Sequence, residues 1–403
     1  MNFLKKKKIL IIVTGGISCY KTLDLIRRLQ EMKVDIECIL TQNTQEFIKP
    51  ITFESLLGKK IHLNLFSLDQ ERNMNHIKLA NSCDAIIVVP CTANFISKLS
   101  NGSADDLATN VLLASKKIKI IAPAMNTNMW QNKAVKDNLK NLSKMGIKVL
   151  NPEVGKLACK TKGAGKLMEV NTIVYELNLL FSEKFLHGKK AIITAGPSIE
   201  KIDPIRFISN FSSGIQGYEI AKVLSYYGAK TLLISGPTNL VPPPNVDLIS
   251  VNSGDQFLKE SINNLPADIY ISVAAISDWR SNKINSKKIK KKKDIHSVDL
   301  ILNPDVLNNI SVHKKRPRLV IGFSAETTNL KTNSKKKFFK KKCDWMLANL
   351  ISKKSGFNNT KNKIFFISKE IEEEWPLASK KIIATKLVKK IVSFFKKNKL
   401  IKI

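Results

Sequence analysis

The chain has 403 residues, with 67 Lys and Arg against 33 Asp and Glu, a formal net charge of +34 at pH 7. That length exceeds what one hydrophobic core ordinarily serves, so two domains are expected, and no run reaches the roughly 18 apolar residues that would span a bilayer. The six cysteines (Cys19, Cys38, Cys83, Cys91, Cys159 and Cys343) form no C-x-x-C pair and no zinc spacing, which excludes a disulfide-stapled scaffold and fits reduced thiols in the cytoplasm.

In chain order, "MNFLKKKKILIIVTGG" imitates a signal peptide. Its apolar part is short and runs into Gly-Gly, so it reads as a first strand, followed by a helix from Ser18 to Met32. "VDIECILT", "DAIIVVP", "IKIIAPA" and "IKVLNP" lack polar alternation and read as parallel strands buried on both faces. A helical pattern runs from Asn171 to Phe185. After "FLHGKK" the theme restarts. "KKAIITAGPS" is a strand ending in Gly-Pro, and "SSGIQGYEIAKVLSYYG" a helix closed by Gly228. "KTLLISGP", "ADIYISVAA", "RLVIGFSAET" and "CDWMLAN" supply further strands. "GPTNLVPPPNV" is a proline-rich loop and "SNKINSKKIKKKKD" a Lys-rich connection. The expected architecture is α/β, two doubly wound Rossmann-like domains, with residues 1–187 as the first and 188–403 as the second.

The lysines are scattered, without interleaved aromatics, and no nucleic-acid module is recognisable. No specific nucleic-acid partner is therefore expected, whereas anionic small molecules suit the charge. "TGGISCYK" is a strand-to-helix turn whose glycines and free amides favour a phosphate, although it is neither G-x-G-x-x-G nor a P-loop. His76, one of only five histidines, is a candidate base. The small and hydroxyl residues after Val88 suit a flat ring pocket, or simply a strand-end loop with a helix cap at Ser103. Cys159 sits in the glycine-punctuated, lysine-rich loop "GKLACKTKGAGKLME", whose positive setting would lower its pKa. Asn126, in "IIAPAMNTNMW", is an amide among apolar neighbours that must find hydrogen bonds or cost stability.

His76, "PAMNTNMW" and "ACKTKGAGK" stand in the order and spacing of the flavin-dependent cysteine decarboxylases, and the second half resembles the phosphopantothenate–cysteine ligases. The whole chain is similar to the bifunctional decarboxylase/ligase family of coenzyme A synthesis. The resemblance implies a first domain of the flavin-dependent cysteine decarboxylase fold, with FMN bound between subunits of a trimer. Gly15, Gly16 and Ser18 would take its phosphate, and Thr92 and Ala93 would lie near the ring. The substrate would be 4′-phosphopantothenoylcysteine, whose unactivated carboxylate leaves only if the flavin first oxidises the thiol carbon. His76 would act as base, Asn126 would grip the leaving carboxylate beside Pro123, Met125 and Met129, and Cys159 would supply the final proton. Lys160 departs from the family's usual Gly, so a left-handed backbone there would carry strain.

For the second domain the resemblance implies CTP-dependent ligation of cysteine to 4′-phosphopantothenate through an acyl-cytidylate. Asn210 would hold that intermediate, Lys288 would neutralise phosphate charge, and Asp278, Ile301, Leu302, Asn303, Pro304, Phe323, Lys337 and Lys341 would contact CTP. Ser198 replaces the family's Thr in Gly-Pro-Thr, and Leu350 replaces Asp in Ala-Asn-Asp. Mg²⁺ would bridge the phosphates. Trimers through the first domain and dimers through the second would build a dodecamer. The alternatives are a flavin-binding regulatory subunit that has lost one or both activities, against which Cys159, His76 and Asn126 all stand, and a basic nucleic-acid-binding protein.

Overall fold

The computed structural model describes residues 2–65, 75–290, 297–350 and 361–400. The chain divides into two compact units, residues 2–181 and 182–403.

The first unit is built on a five-stranded parallel sheet: β1 (Lys8–Val13), β2 (Asp35–Leu40), β3 (Ala85–Cys91), β4 (Ile118–Pro123) and β5 (Lys148–Val149), in the order β2-β1-β3-β4-β5. Alternation along β1 explains its unbroken apolar sequence. Ile9, Ile11 and Val13 pack with Leu25 and Leu29 of the helix Tyr20–Glu31 and with Ile173 and Leu177 of the helix Val170–Leu180. Leu10 and Ile12 pack on the other face with Phe95, Val111 and Leu142 from three further helices. Both faces are covered, so neither phase of the strand can be polar. The first helix begins later than the sequence suggests: one 3₁₀ turn, Ile17–Cys19, precedes it. The loop holding Cys159 is the end of an antiparallel hairpin, β6 (Glu153–Lys156) and β7 (Lys162–Lys166). The segment after Val88 is not a strand-end loop: β3 continues to Cys91 and a helix, Ala93–Ser100, follows with Thr92 as its N-cap, while the next helix, Leu107–Ala114, is capped at Asp106, not Ser103. The Asp106 carboxylate accepts the Thr109 amide at 2.8 Å, and the Thr109 hydroxyl bonds back to the Asp106 amide.

The second unit carries an eight-stranded sheet, β12-β11-β8-β13-β16-β17-β18-β19. Its strands are β8 (Lys190–Ala195), β11 (Lys230–Ser235), β12 (Val246–Ser250), β13 (Ile269–Ser272), β16 (Leu319–Glu326), β17 (Trp345–Leu350), β18 (Lys361–Ser368) and β19 (Glu372–Ser379). The sheet is parallel as far as β17, and its last two strands are antiparallel. Two small ladders flank it: β9 (Ile199–Lys201) with β10 (Phe207–Ser209), and β14 (Trp279–Ser281) with β15 (Leu300–Leu302). The helix Lys380–Lys397 closes the chain against the helix Ile215–Tyr226. Sequence reading names no element beyond Ser368 and so misses β19 and this helix. Of the Lys-rich connection, residues 291–296 lie outside the described residues.

In both sheets strand order reverses beside the first strand, between β1 and β3 and between β8 and β13. At such a switch point the loops leaving the carboxyl ends diverge to opposite faces and open a crevice. Each unit has its cleft there.

Candidate functional site

The cleft of the first unit encloses ≈ 870 Å³ and is lined by Thr14–Ser18, Thr92–Phe95, Met125, Asn126, Met129 and Leu157–Cys159 among others. The Thr14 hydroxyl donates to the Pro90 carbonyl at 2.8 Å and accepts the Thr92 amide at 3.1 Å. It thereby ties the ends of β1 and β3 together across the switch point. Gly15 has a packing reason: a Cβ there would collide with the Asn43 backbone. The 3₁₀ turn then opens the helical segment, and the leading amides of such a turn have no intrahelical acceptor. Gly15, Gly16, Ser18, Thr92 and Ala93 all line this cleft.

Asn126 is the N-cap of the short helix Thr127–Gln131, and its Oδ1 accepts the Met129 amide at 2.9 Å. The cap answers half of what an isolated amide needs. Its Nδ2 makes no hydrogen bond among the described residues and belongs to an exposed residue of the cleft. Pro123 does not line the cleft but ends β4, buried against Cys91.

Cys159 reaches the same cleft through the β6–β7 hairpin. The Lys160 amide donates to the Leu157 carbonyl at 3.0 Å and the Leu157 amide to the Thr161 carbonyl at 2.9 Å. Together they close a tight turn whose last residue, Lys160, has φ +64°. This is the left-handed position where the family usually has Gly, and lysine there costs about 1–2 kcal/mol. Two glycines dock the hairpin. A side chain on Gly163 would strike Thr127, and one on Gly165 (φ +128°) would strike the Met125 carbonyl. The Gly165 carbonyl instead accepts the Met125 amide at 3.0 Å. The thiol's pKa is lowered, as its context suggests, but for another reason. The Thr161 hydroxyl, 3.1 Å from Sγ, and the Thr161 amide stabilise the thiolate, not the lysines.

His76, half-buried on the helix Asn75–Ser82, does not line this cleft. Within one chain the structure therefore brings Asn126 and Cys159 together and leaves His76 elsewhere.

The second cleft encloses ≈ 670 Å³. Asn210, Asp278, Leu302, Asn303, Pro304, Phe323, Lys337 and Lys341 line it, with the turn Ser212–Gly214. Gly214 has φ +73° at the start of the helix Ile215–Tyr226, and a side chain on Gly217 would collide with Ala195. The helix start is thus pressed onto the end of β8, with its amides at the cleft. Asn210 Nδ2 donates to the Ile276 carbonyl at 3.0 Å. Asn303 Nδ2 donates to the Ser277 carbonyl at 2.8 Å, while its buried Oδ1 has no partner among the described residues. Lys341 pairs with Asp305 at 2.6 Å and Lys337 with Glu326 at 2.8 Å, so both ammoniums are preplaced by carboxylates at the cleft.

Ile301 lies on β15 opposite Arg280 and does not line the cleft. Nor does Lys288, which is exposed. Its neighbour Ile289 donates to the Asp203 carboxylate at 3.2 Å and accepts from Arg206, strapping the segment to the β9–β10 ladder. Sequence reading missed Gln216, Ser324, Asn349, Asn362 and Lys380, all of which line the cleft. Asn362 left a trace: in "KNKI" it shares the inward phase with Ile364, a polar residue where an apolar one is due. Lys380 left none among so many lysines.

Three comparisons bear on these clefts. The flavoprotein family model matches residues 2–181, and that of the DNA/pantothenate metabolism flavoprotein C-terminal domain matches residues 186–395. The chain is 35% identical over 395 residues to the coenzyme A biosynthesis bifunctional protein CoaBC of Vibrio vulnificus (strain CMCP6), covering 97% of this chain and 98% of the relative. It is 37% identical over 396 residues to the protein of that name from Haemophilus influenzae, covering 98% and 99%. A crystal structure of the C-terminal domain of a CoaBC protein, 34% identical, superposes on 53% of this chain and 100% of its own with a TM-score of 0.46.

Proposed function

Because the chain belongs to the family of bifunctional coenzyme A biosynthesis proteins, we propose that the cleft of its second unit, the rear cleft in chain order, joins cysteine to 4′-phosphopantothenate at the expense of CTP, and that the cleft of its first unit, the front cleft in chain order, decarboxylates the product to 4′-phosphopantetheine. The observation that carries this reading is the convergence of the Gly15–Ser18 turn, Asn126 and Cys159 on one cleft, from segments far apart in the chain.

FMN fits the front cleft. The Gly15, Gly16 and Ser18 turn suits its phosphate, and Thr92 and Ala93 border the space a ring would fill. Bound there, it supplies the redox chemistry that an unactivated carboxylate needs in order to leave. The chain's own groups do the rest. With Oδ1 engaged in its cap, Asn126 has Nδ2 to offer the substrate carboxylate. Cys159 donates a proton, and its lowered pKa makes it a better acid. His76 joins from a neighbouring copy. Exposed Ile17, Tyr20, Phe47, Ile51 and Ile77 on this unit support such an assembly.

In the rear cleft Asn210 holds the acyl-cytidylate, Lys337 and Lys341 exchange their carboxylate partners for phosphate, and Lys288 reaches charge from the strapped segment or from a second copy. Exposed Phe207, Trp279, Leu300 and Leu302 on the two small ladders support a dimer here. Mg²⁺ would bind with the triphosphate and shield its charge during nucleotidyl transfer. No helix among the described residues is long and apolar enough to cross a membrane, and the reading places the enzyme in the cytoplasm.

One incubation tests both halves. Mass spectrometry of the purified yellow protein given CTP, cysteine and 4′-phosphopantothenate should show 4′-phosphopantetheine. Accumulation of the undecarboxylated conjugate would remove the front-cleft assignment, and absence of any conjugate the rear one.

A further inference from the structure

The inner wall of the rear cleft carries polar groups that nucleotide binding leaves unassigned. Lys380 is only 5% exposed, yet its residue lines the cleft, with Nζ 3.4 Å from the Ser213 hydroxyl. Burial lowers its pKa, as expected for an ammonium kept from water. Around it stand Gln216 (8% exposed), whose Nε2 donates to the Lys380 carbonyl at 3.2 Å, and Asn362 (7%), two positions along the β18–β19 ladder from the start of the last helix. Ser324 (9%) lies on β16, further across the same sheet end. Gln216 Oε1, Asn362 Oδ1 and Ser324 Oγ are each buried without a hydrogen-bond partner among the described residues. A buried polar atom without a partner is costly to keep, and three that line one cleft are acceptors suited to a ligand.

The chemistry of that ligand follows from the groups. An ammonium asks for an anion, and oxygen acceptors ask for N–H donors. A triphosphate satisfies the first and is repelled by the second. A small zwitterion with a carboxylate at one end and an ammonium at the other satisfies both. We infer that this wall is the amino-acid subsite of the ligase, with Lys380 binding the carboxylate of the incoming cysteine and Asn362 and Gln216 receiving its ammonium. The inference rests on the ligase reading above. It adds the residues that distinguish an amino acid from a plain amine. Asn210 and Ser213 lie three residues apart on the loop between β10 and the helix Ile215–Tyr226, so the subsite borders the place where the activated acyl group is held.

The test compares cysteine with cysteamine, which lacks the carboxylate, as acceptors for the wild-type chain and for Lys380→Met and Asn362→Ala. Product is read by mass spectrometry, and the activation step by pyrophosphate release from CTP and 4′-phosphopantothenate. Lys380→Met should raise KM for cysteine about 10- to 100-fold, the worth of a charged hydrogen bond, and leave cysteamine use alone. Asn362→Ala should weaken both acceptors alike. KM for CTP should not change in either variant, which also shows that the unit is folded. A rise in KM for CTP in step with that for cysteine would assign Lys380 to the nucleotide and overturn the inference, as would undiminished preference for cysteine. A wild-type chain that releases no pyrophosphate would instead overturn the ligase reading beneath it.

Discussion

Asn126 illustrates how one side chain can serve structure and chemistry through different atoms. Its Oδ1 caps a helix and its Nδ2 is left for the cleft. Asn126→Asp keeps the cap, since Asp is as good an N-cap, but sets a negative charge against the substrate carboxylate. Decarboxylation should fall by about 100- to 1,000-fold, the usual cost of losing one donor to a reacting group. Unfolding free energy should move by less than about 0.5 kcal/mol. Asn126→Ala should lose the activity and also about 1 kcal/mol of stability. Equal stability losses in the two variants, measured by urea denaturation, would refute the division of labour between the two atoms. Lys160 shows the opposite economy: a strained backbone that the hairpin tolerates beside a functional cysteine.

At the scale of elements, two late pieces of chain matter most. The β6–β7 hairpin carries Cys159 to the cleft only because Gly163 and Gly165 let it lie against the segment around Asn126. The helix Lys380–Lys397 positions the proposed subsite and is pinned to β19 by Glu373, 2.6 Å from Lys386 and 2.9 Å from Lys390. Burial would raise the Glu373 carboxyl, but the two ammoniums outweigh it and hold its pKa at about 2. A carboxyl depressed on folding contributes stability that is present above its unfolded pKa of about 4.3 and lost as pH falls toward 2. The Tm of the second unit should therefore fall between about pH 4.5 and pH 2. In Glu373→Gln that part of the acid sensitivity should vanish. An identical pH dependence of Tm in the two proteins would show that the pins do not hold the helix.

For the whole molecule, the two units have separate cores and separate clefts, each at the switch point of its own sheet. Damage to one site should spare the other. In Asn210→Asp a carboxylate would face the Ile276 carbonyl that the amide now donates to. CTP-dependent pyrophosphate release should collapse, while decarboxylation of supplied 4′-phosphopantothenoylcysteine should persist at the wild-type rate. Parallel loss of both activities would mean that the units do not fold or function independently.

Much of this was legible in one dimension. Apolar runs mark β1, β3, β4, β8 and β16, with glycines ending β1 and β8, because strand burial and turn geometry depend on neighbours a few residues apart. The glycine-opened turns, Asn126, Cys159 and Asn210 could be picked out by motif for the same reason. What stayed hidden depends on residues distant in sequence. The hairpin's docking is decided by atoms of Gly165 and Met125, 40 residues apart. Thr161, not the surrounding charge, sets the Cys159 pKa. Among 67 basic residues, nothing local distinguishes Lys380 from a solvated surface lysine. Local pattern determined the layers and the turns at their ends. Tertiary packing alone decided which side chains share a cleft, because burial and partner are properties of the folded surroundings and not of the residue.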